Sequence, residues 1–215
     1  CIRKKKAYCT EKKIRSTSRQ TKKSSGSKKK KEMNIEHKIC EEIRQWSKHA
    51  LEIPNENYNN LPSCPYAKSA WKNKKVGFAL KTTESYDIVY SLINKFHDSK
   101  DLIIVIDLCF ENNDVFHNNL TNLNELIHQN KFNQRDIWLM GFHPDDDVNE
   151  LIDDGSFEEV VSEEYSLIFV QRLSKLQESA NKLKKLGYYD NYYNRYNVED
   201  IYKQRENYYR RLKWQ

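Results

Sequence analysis

The sequence predicts a single α/β domain with a small, mainly parallel sheet, an N-terminal helix and long C-terminal helices. Three observations carry this. Apolar runs of strand length occur at Val76–Leu80, Leu102–Leu108 and Asp136–Phe142. Between them lie stripes at helical spacing, Val89-Leu92-Ile93-Phe96 and Leu120-Leu123-Ile127. The resulting β-α-β-α-β order is that of parallel strands joined by crossover helices.

Each element has its own reason. Ile35, Ile39, Ile43, Trp46 and Ala50 recur at helical spacing, so Ile35–Leu51 reads as an opening helix that Pro54 and the polar run 55–60 end. Leu61–Ala67 holds two prolines and a serine and reads as a turn into a short segment at 68–71. Leu102–Leu108 is almost wholly apolar and rich in β-branched residues, which marks a strand covered on both faces. Glu163 and Glu164 then open a long helix with the stripe Tyr165, Phe169, Leu173, Leu176, Ala180 and Leu183. Acidic residues suit its first turn, Lys182, Lys184 and Lys185 its last, and Gly187 its C-terminal cap. Residues 198–212 read as one more helix.

Charge is segregated along the chain. Residues 1–32 hold 14 Lys and Arg against 2 acidic residues, which leaves 23 basic and 29 acidic in 33–215. The first segment has too little apolar surface to offset the entropy of ordering it, so disorder is expected there. Lys28–Glu32 directly precedes Met33, and purine-rich codons for such a run resemble a bacterial ribosome-binding stretch, so translation is expected to start at Met33. The expected organisation is a basic segment 1–32, an α/β domain 33–187 and a Tyr/Arg-rich helical extension 188–215.

No apolar run approaches the length of a membrane span. Cys40, Cys64 and Cys109 of the folded part are odd in number and lack C-x-x-C pairing, which points to reduced thiols and a cytoplasmic protein, while the run before Met33 points to a bacterial or phage source. No Walker, G-x-G-x-x-G, H-E-x-x-H or G-x-S-x-G motif occurs, so no cofactor is assigned.

Two stretches could carry chemistry. Cys64-Pro65-Tyr66-Ala67 places a thiol where a loop enters a helix, a position where free backbone N–H groups stabilise a thiolate. Trp138–Phe142 runs into His143-Pro144-Asp145, which delivers an imidazole to the C-terminal edge of a sheet, where open α/β sheets bind ligands. The plainer readings are a small buried cysteine and a histidine that caps its strand. Residues 144–164 hold ten acidic side chains and no basic one, in a spacing unlike an EF-hand loop.

Cys64-Pro65-Tyr66-Ala67, Phe142-His143-Pro144-Asp145 and Val170-Gln171-Arg172, in this order, resemble the uncharacterised bacterial family numbered fourteen-fifteen among the domains of unknown function. The resemblance covers roughly 36–186. Pro62-Ser63 before the cysteine, Asp146 after Asp145 and Leu173 after Arg172 depart from the family's motifs.

The functional expectation is a thiol–imidazole pocket at one end of the sheet that binds or acts on a small anionic ligand. Cys64 is nucleophile or thiol ligand, His143 its base, Asp145 an orienting carboxylate and Arg172 the anion's anchor. The alternative is a non-catalytic nucleic-acid or protein-interaction module. It rests on Tyr188, Tyr189, Tyr192, Tyr193, Tyr196, Tyr202, Tyr208, Tyr209 and Trp214, interleaved with nine cations over 181–215.

Overall fold

The computed structural model describes residues 35–109, 111–146, 165–190 and 199–213. The basic segment 1–32, Met33, most of the acidic stretch, and Tyr192, Tyr193, Tyr196 and Trp214 lie outside the described residues. The chain divides into two compact units, 1–41 and 42–215. In the first, residues 35–41 are the opening turns of helix α1, Ile35–Trp46. The second holds everything that follows, and α1 continues in it as a π-helical turn, Ser47–Leu51.

A two-residue ladder, β1 (Pro54–Asn55) with β2 (Leu61–Pro62), precedes the short helix α2, Ala67–Lys72. Then come β3 (Val76–Lys81), α3 (Asp87–Lys95), β4 (Leu102–Asp107), α4 (Asn113–His128) and β5 (Trp138–Phe142). These five elements follow the order read from periodicity. Asn112 caps α4, its side-chain oxygen accepting from the amides of Asp114 and Val115.

The next element corrects the expected long helix. Residues Ser166–Gln171 form strand β6, and the helix, α5, begins only at Leu173 and ends at Lys184. Tyr165, Phe169 and Leu173 do fall at helical spacing, but Leu167, Ile168 and Val170 fill the gaps, and all three are buried. Four consecutive apolar residues, 167–170, inside an element only six residues long are the mark of a strand covered on both faces.

That strand also changes the sheet. Its order is β3-β4-β6-β5, with β3 and β4 parallel and β6 antiparallel to both β4 and β5. β3, β4 and β5 share a direction, but β6 enters between β4 and β5 in reverse. The sheet is therefore mixed rather than mainly parallel.

On one face, Val89, Ile93, Phe116, Leu120, Leu123 and Ile127 of α3 and α4 close over Val105, Leu139, Ile168 and Val170. Gly141 permits this close approach, since a Cβ there would lie 2.4 Å from a Leu120 methyl and 2.5 Å from the Phe116 ring. On the other face Trp46 stands edge-on to Phe142 and Phe169, and Trp138 and Leu173 cluster with Tyr208 and Tyr209 of α6, Glu199–Lys213. Gly187 caps α5 at φ +73°, a backbone state open to glycine, and the amides of Gly187 and Tyr188 return to the carbonyls of Lys184 and Leu183. Among the described residues no helix is long and apolar enough to cross a membrane.

Candidate functional site

β3 and β4 each end their apolar run with a charge, Lys81 and Asp107, and the parallel register sets these two residues side by side. Both side chains are 0% exposed. Lys81 Nζ donates to Asp107 Oδ2 at 2.9 Å and reaches Glu111 Oε1 at 3.3 Å. The ammonium also lies 4.7 Å from the Tyr86 ring centroid. Asp107 Oδ1 accepts the Cys109 amide at 2.9 Å, so both of its oxygens are used.

Glu111, just ahead of α4, is 13% exposed, more than Lys81 or Asp107. Its second oxygen accepts from the Tyr86 hydroxyl at 2.9 Å and from Asn119 Nδ2 at 3.3 Å. An ammonium, a phenol and an amide thus converge on a single carboxylate. Burial pulls the Lys81 pKa down, but the hydrogen bond and charge of Asp107 and the nearby Glu111 outweigh it, so Lys81 is held above its ordinary value. Burial first, then the hydrogen bond to Glu111, pushes the Tyr86 phenol well up, and it stays a donor at any physiological pH.

His143 reaches the same edge, as the motif predicts. Its Nε2 donates to the carbonyl of Glu111 at 2.8 Å and its Nδ1 accepts the Asp145 amide at 3.1 Å. Both ring nitrogens are therefore occupied by backbone, and the histidine ties the end of β5 to the loop before α4. Asp145 orients the ring through its amide, while its carboxylate is 80% exposed and 3.7 Å from Nδ1. Asp146 does more: Oδ2 accepts the His143 amide at 2.7 Å, and Oδ1 lies 2.6 Å from Nε2 of His117, which is 42% exposed.

Ser166 completes the row. It pairs with Asp107 in the β4–β6 register and lies one step beyond the Phe142–Leu167 pair, where β5 gives way to His143. Its hydroxyl and the Asn113 side-chain oxygen are buried without a hydrogen-bond partner. The edge therefore carries unused hydrogen-bonding capacity.

The other expected residues are elsewhere. Arg172 sits between β6 and α5, at the opposite end of the sheet, because β6 runs antiparallel and its last residue pairs with the first residues of β4 and β5. One strand length, about 17 Å, separates the two edges. Its guanidinium is committed there: to Asp98 Oδ1 at 2.7 Å, Gln134 Oε1 at 2.6 Å and the Phe96 carbonyl at 3.3 Å, over the Phe96 ring. The expectation that Arg172 anchors an anion beside His143 is corrected by this reversal of β6.

Cys64 keeps separate company from His143. Its amide donates to the Leu51 carbonyl at 2.9 Å, and the neighbouring Ser63 carbonyl accepts from the Tyr188 hydroxyl. Burial pushes the Cys64 thiol pKa up, and the amides of Tyr66 and Ala67 lower it by less. The backbone donors expected at this loop are present, but desolvation outweighs them. Cys64 and His143 share no hydrogen bond, ion pair or electrostatic partner.

The Tyr/Arg-rich tail is packed inward over its described part. Tyr188, Tyr189, Tyr208 and Tyr209 are buried, Tyr208 stacks on His128 at 3.7 Å between centroids, and Arg205 donates to Gln177 at 2.9 Å. Those ring faces are taken up in the core. Among the described residues no group of three or more His, Cys, Asp and Glu is placed to hold a metal ion.

Sequence reasoning missed Lys81, Tyr86, Asp107, Glu111 and Asn119. A signal was present in Val76–Lys81 and Leu102–Asp107, two apolar strands that each end on a charge, of opposite sign. Fold and site together describe a mixed α/β domain with a buried ionic network at the C-terminal ends of its parallel strands. The chain matches no protein-family model, no curated protein and no solved structure.

Proposed function

We propose that this domain binds a small carboxylate-bearing ligand at the C-terminal edge of β3, β4 and β5. Lys81 takes the anchoring role expected of Arg172. One observation carries the reading: three donors, Lys81 Nζ, Tyr86 Oη and Asn119 Nδ2, already converge on the carboxylate of Glu111. They define a seat for a carboxylate, occupied from within by Glu111, the least buried of the three charged side chains. A ligand carboxylate takes that seat when Glu111 swings outward, and the unpartnered Ser166 hydroxyl and Asn113 oxygen provide further polar contacts.

The cost of the network supports a role beyond stability. Removing a lysine and a carboxylate from water costs several kcal/mol per ion, and well-packed apolar residues often replace such a pair without loss. Ionisable groups with displaced pKa values at a sheet's ligand-binding edge are a functional signature.

Chemical rescue tests the reading. Glu111→Ala vacates the seat and is expected to gain thermal stability, saturably, from propionate at constant ionic strength. The wild-type chain, with Glu111 in competition, gains less. Adding Tyr86→Phe removes one donor and weakens the response. A Glu111→Ala protein that melts at the same temperature with propionate as with chloride would refute the carboxylate seat.

A further inference from the structure

The two edges of the sheet are treated differently. At β5, Asn124 of α4 takes both backbone groups of Leu139: its Nδ2 donates to the carbonyl at 3.0 Å and its Oδ1 accepts the amide at 2.9 Å. The side-chain amide imitates a neighbouring strand and closes that edge to pairing.

β3 has no such cover among the described residues. Lys75 O accepts from Leu102 N at 3.3 Å and Lys81 O from Leu108 N at 3.0 Å, which fixes the alternation of the parallel ladder. Gly77 and Ala79 therefore face β4, while Val76, Phe78 and Leu80 turn their N–H and C=O groups outward. The Val76 carbonyl is met by Lys100 Nζ at 3.3 Å. The outward groups of Phe78 and Leu80 have no hydrogen-bond partner among the described residues. Val76–Leu80 is also free of the charges, prolines and bulges that blunt natural edges.

We infer that β3 pairs antiparallel with β3 of a second copy of the chain, making one continuous eight-stranded sheet across a two-fold axis at Ala79. The free groups select the register. With Phe78 opposite Leu80 of the other copy, the four unpartnered groups of each strand make four inter-strand hydrogen bonds, and the Val76 carbonyl is left to Lys100. Apolar then faces apolar across the seam. Charge agrees as well: the exposed Lys74 of one copy comes alongside the exposed Glu84 of the other. The interface is isologous, so the closed dimer has no β3 edge left.

Sedimentation of the full chain across the micromolar range is expected to give a mass approaching twice 25.8 kDa. Leu80→Pro removes an outward N–H that bonds nothing within the protomer and is expected to return the monomer with its fold retained. The register is read by cross-linking. Ala79→Cys lies opposite itself, within disulfide reach, and is expected to form a covalent dimer under mild oxidation beyond the wild-type background. Gly77→Cys, which faces Lys81 of the other copy, is expected not to. A chain monomeric throughout, a Leu80→Pro dimer as strong as wild type, or equal cross-linking of the two cysteine variants would overturn the inference.

Discussion

His128 makes the stability of this protein depend on mildly acidic pH. It ends α4 with its ring stacked on Tyr208 of α6, and its Nε2 is buried with no partner. Burial first, then the charge of Arg211, lowers its pKa from 6.5 to about 4, against the opposing pull of Glu125. The folded pKa lies below the unfolded one, so the unfolded chain binds the extra proton, and stability falls as pH drops through this window. The loss is about 2 kcal/mol between pH 8 and pH 5 and levels off near 3 kcal/mol below pH 4. Urea denaturation at a series of pH values measures it. His128→Phe keeps the stacked ring and removes the titrating nitrogen, so it should lose markedly less stability than wild type from pH 7 to pH 5. Glu125 lies beside it and is also held low, chiefly by the Tyr208 hydroxyl, but it titrates at lower pH in both proteins. If His128→Phe loses as much stability as wild type between pH 7 and pH 5, the stacked histidine is not the sensor.

Three further predictions concern the sheet. Ile104 is buried in the interior strand β4, so Ile104→Asp is expected to abolish soluble expression, checked by the soluble fraction against wild type. Lys81→Met strands Asp107 in the core and is expected to cost about 3–5 kcal/mol, whereas Lys81→Met with Asp107→Leu recovers most of it; chemical denaturation of the three proteins decides. Gly141→Ala forces a methyl against Leu120 and Phe116 and is expected to lower stability by about 1–3 kcal/mol, read as a fall in Tm.

Much of the chain was legible because its signals are local. Helical spacing in Val89–Phe96 and Leu120–Ile127, and apolar runs at 76–80 and 102–108, reflect each element's own contact with one core. His143 was placed at the strand edge for the same reason: it follows its strand directly. Residues 166–171 read as helix because a doubly buried strand and one face of a helix are hard to tell apart over the four apolar positions 167–170. Only burial on both sides separates them, and neighbours supply that.

The pairing of strands is where sequence alone stops. It determined the apolar strands at 76–80 and 102–108 and the turn that holds Cys64, and it read Arg172 as part of a helix. It did not hold the information that β6 runs backwards between β4 and β5. That one reversal sends Arg172 to the far edge and brings Ser166 beside Asp107, while the parallel pairing of β3 with β4 and the packing of α4 let Lys81, Tyr86 and Asn119 share a single carboxylate. Such contacts join residues remote in the chain, and their selection depends on which long-range pairing buries the most apolar surface with every backbone group satisfied. That choice belongs to the folded chain as a whole, so the site is a product of tertiary structure while its parts are products of sequence.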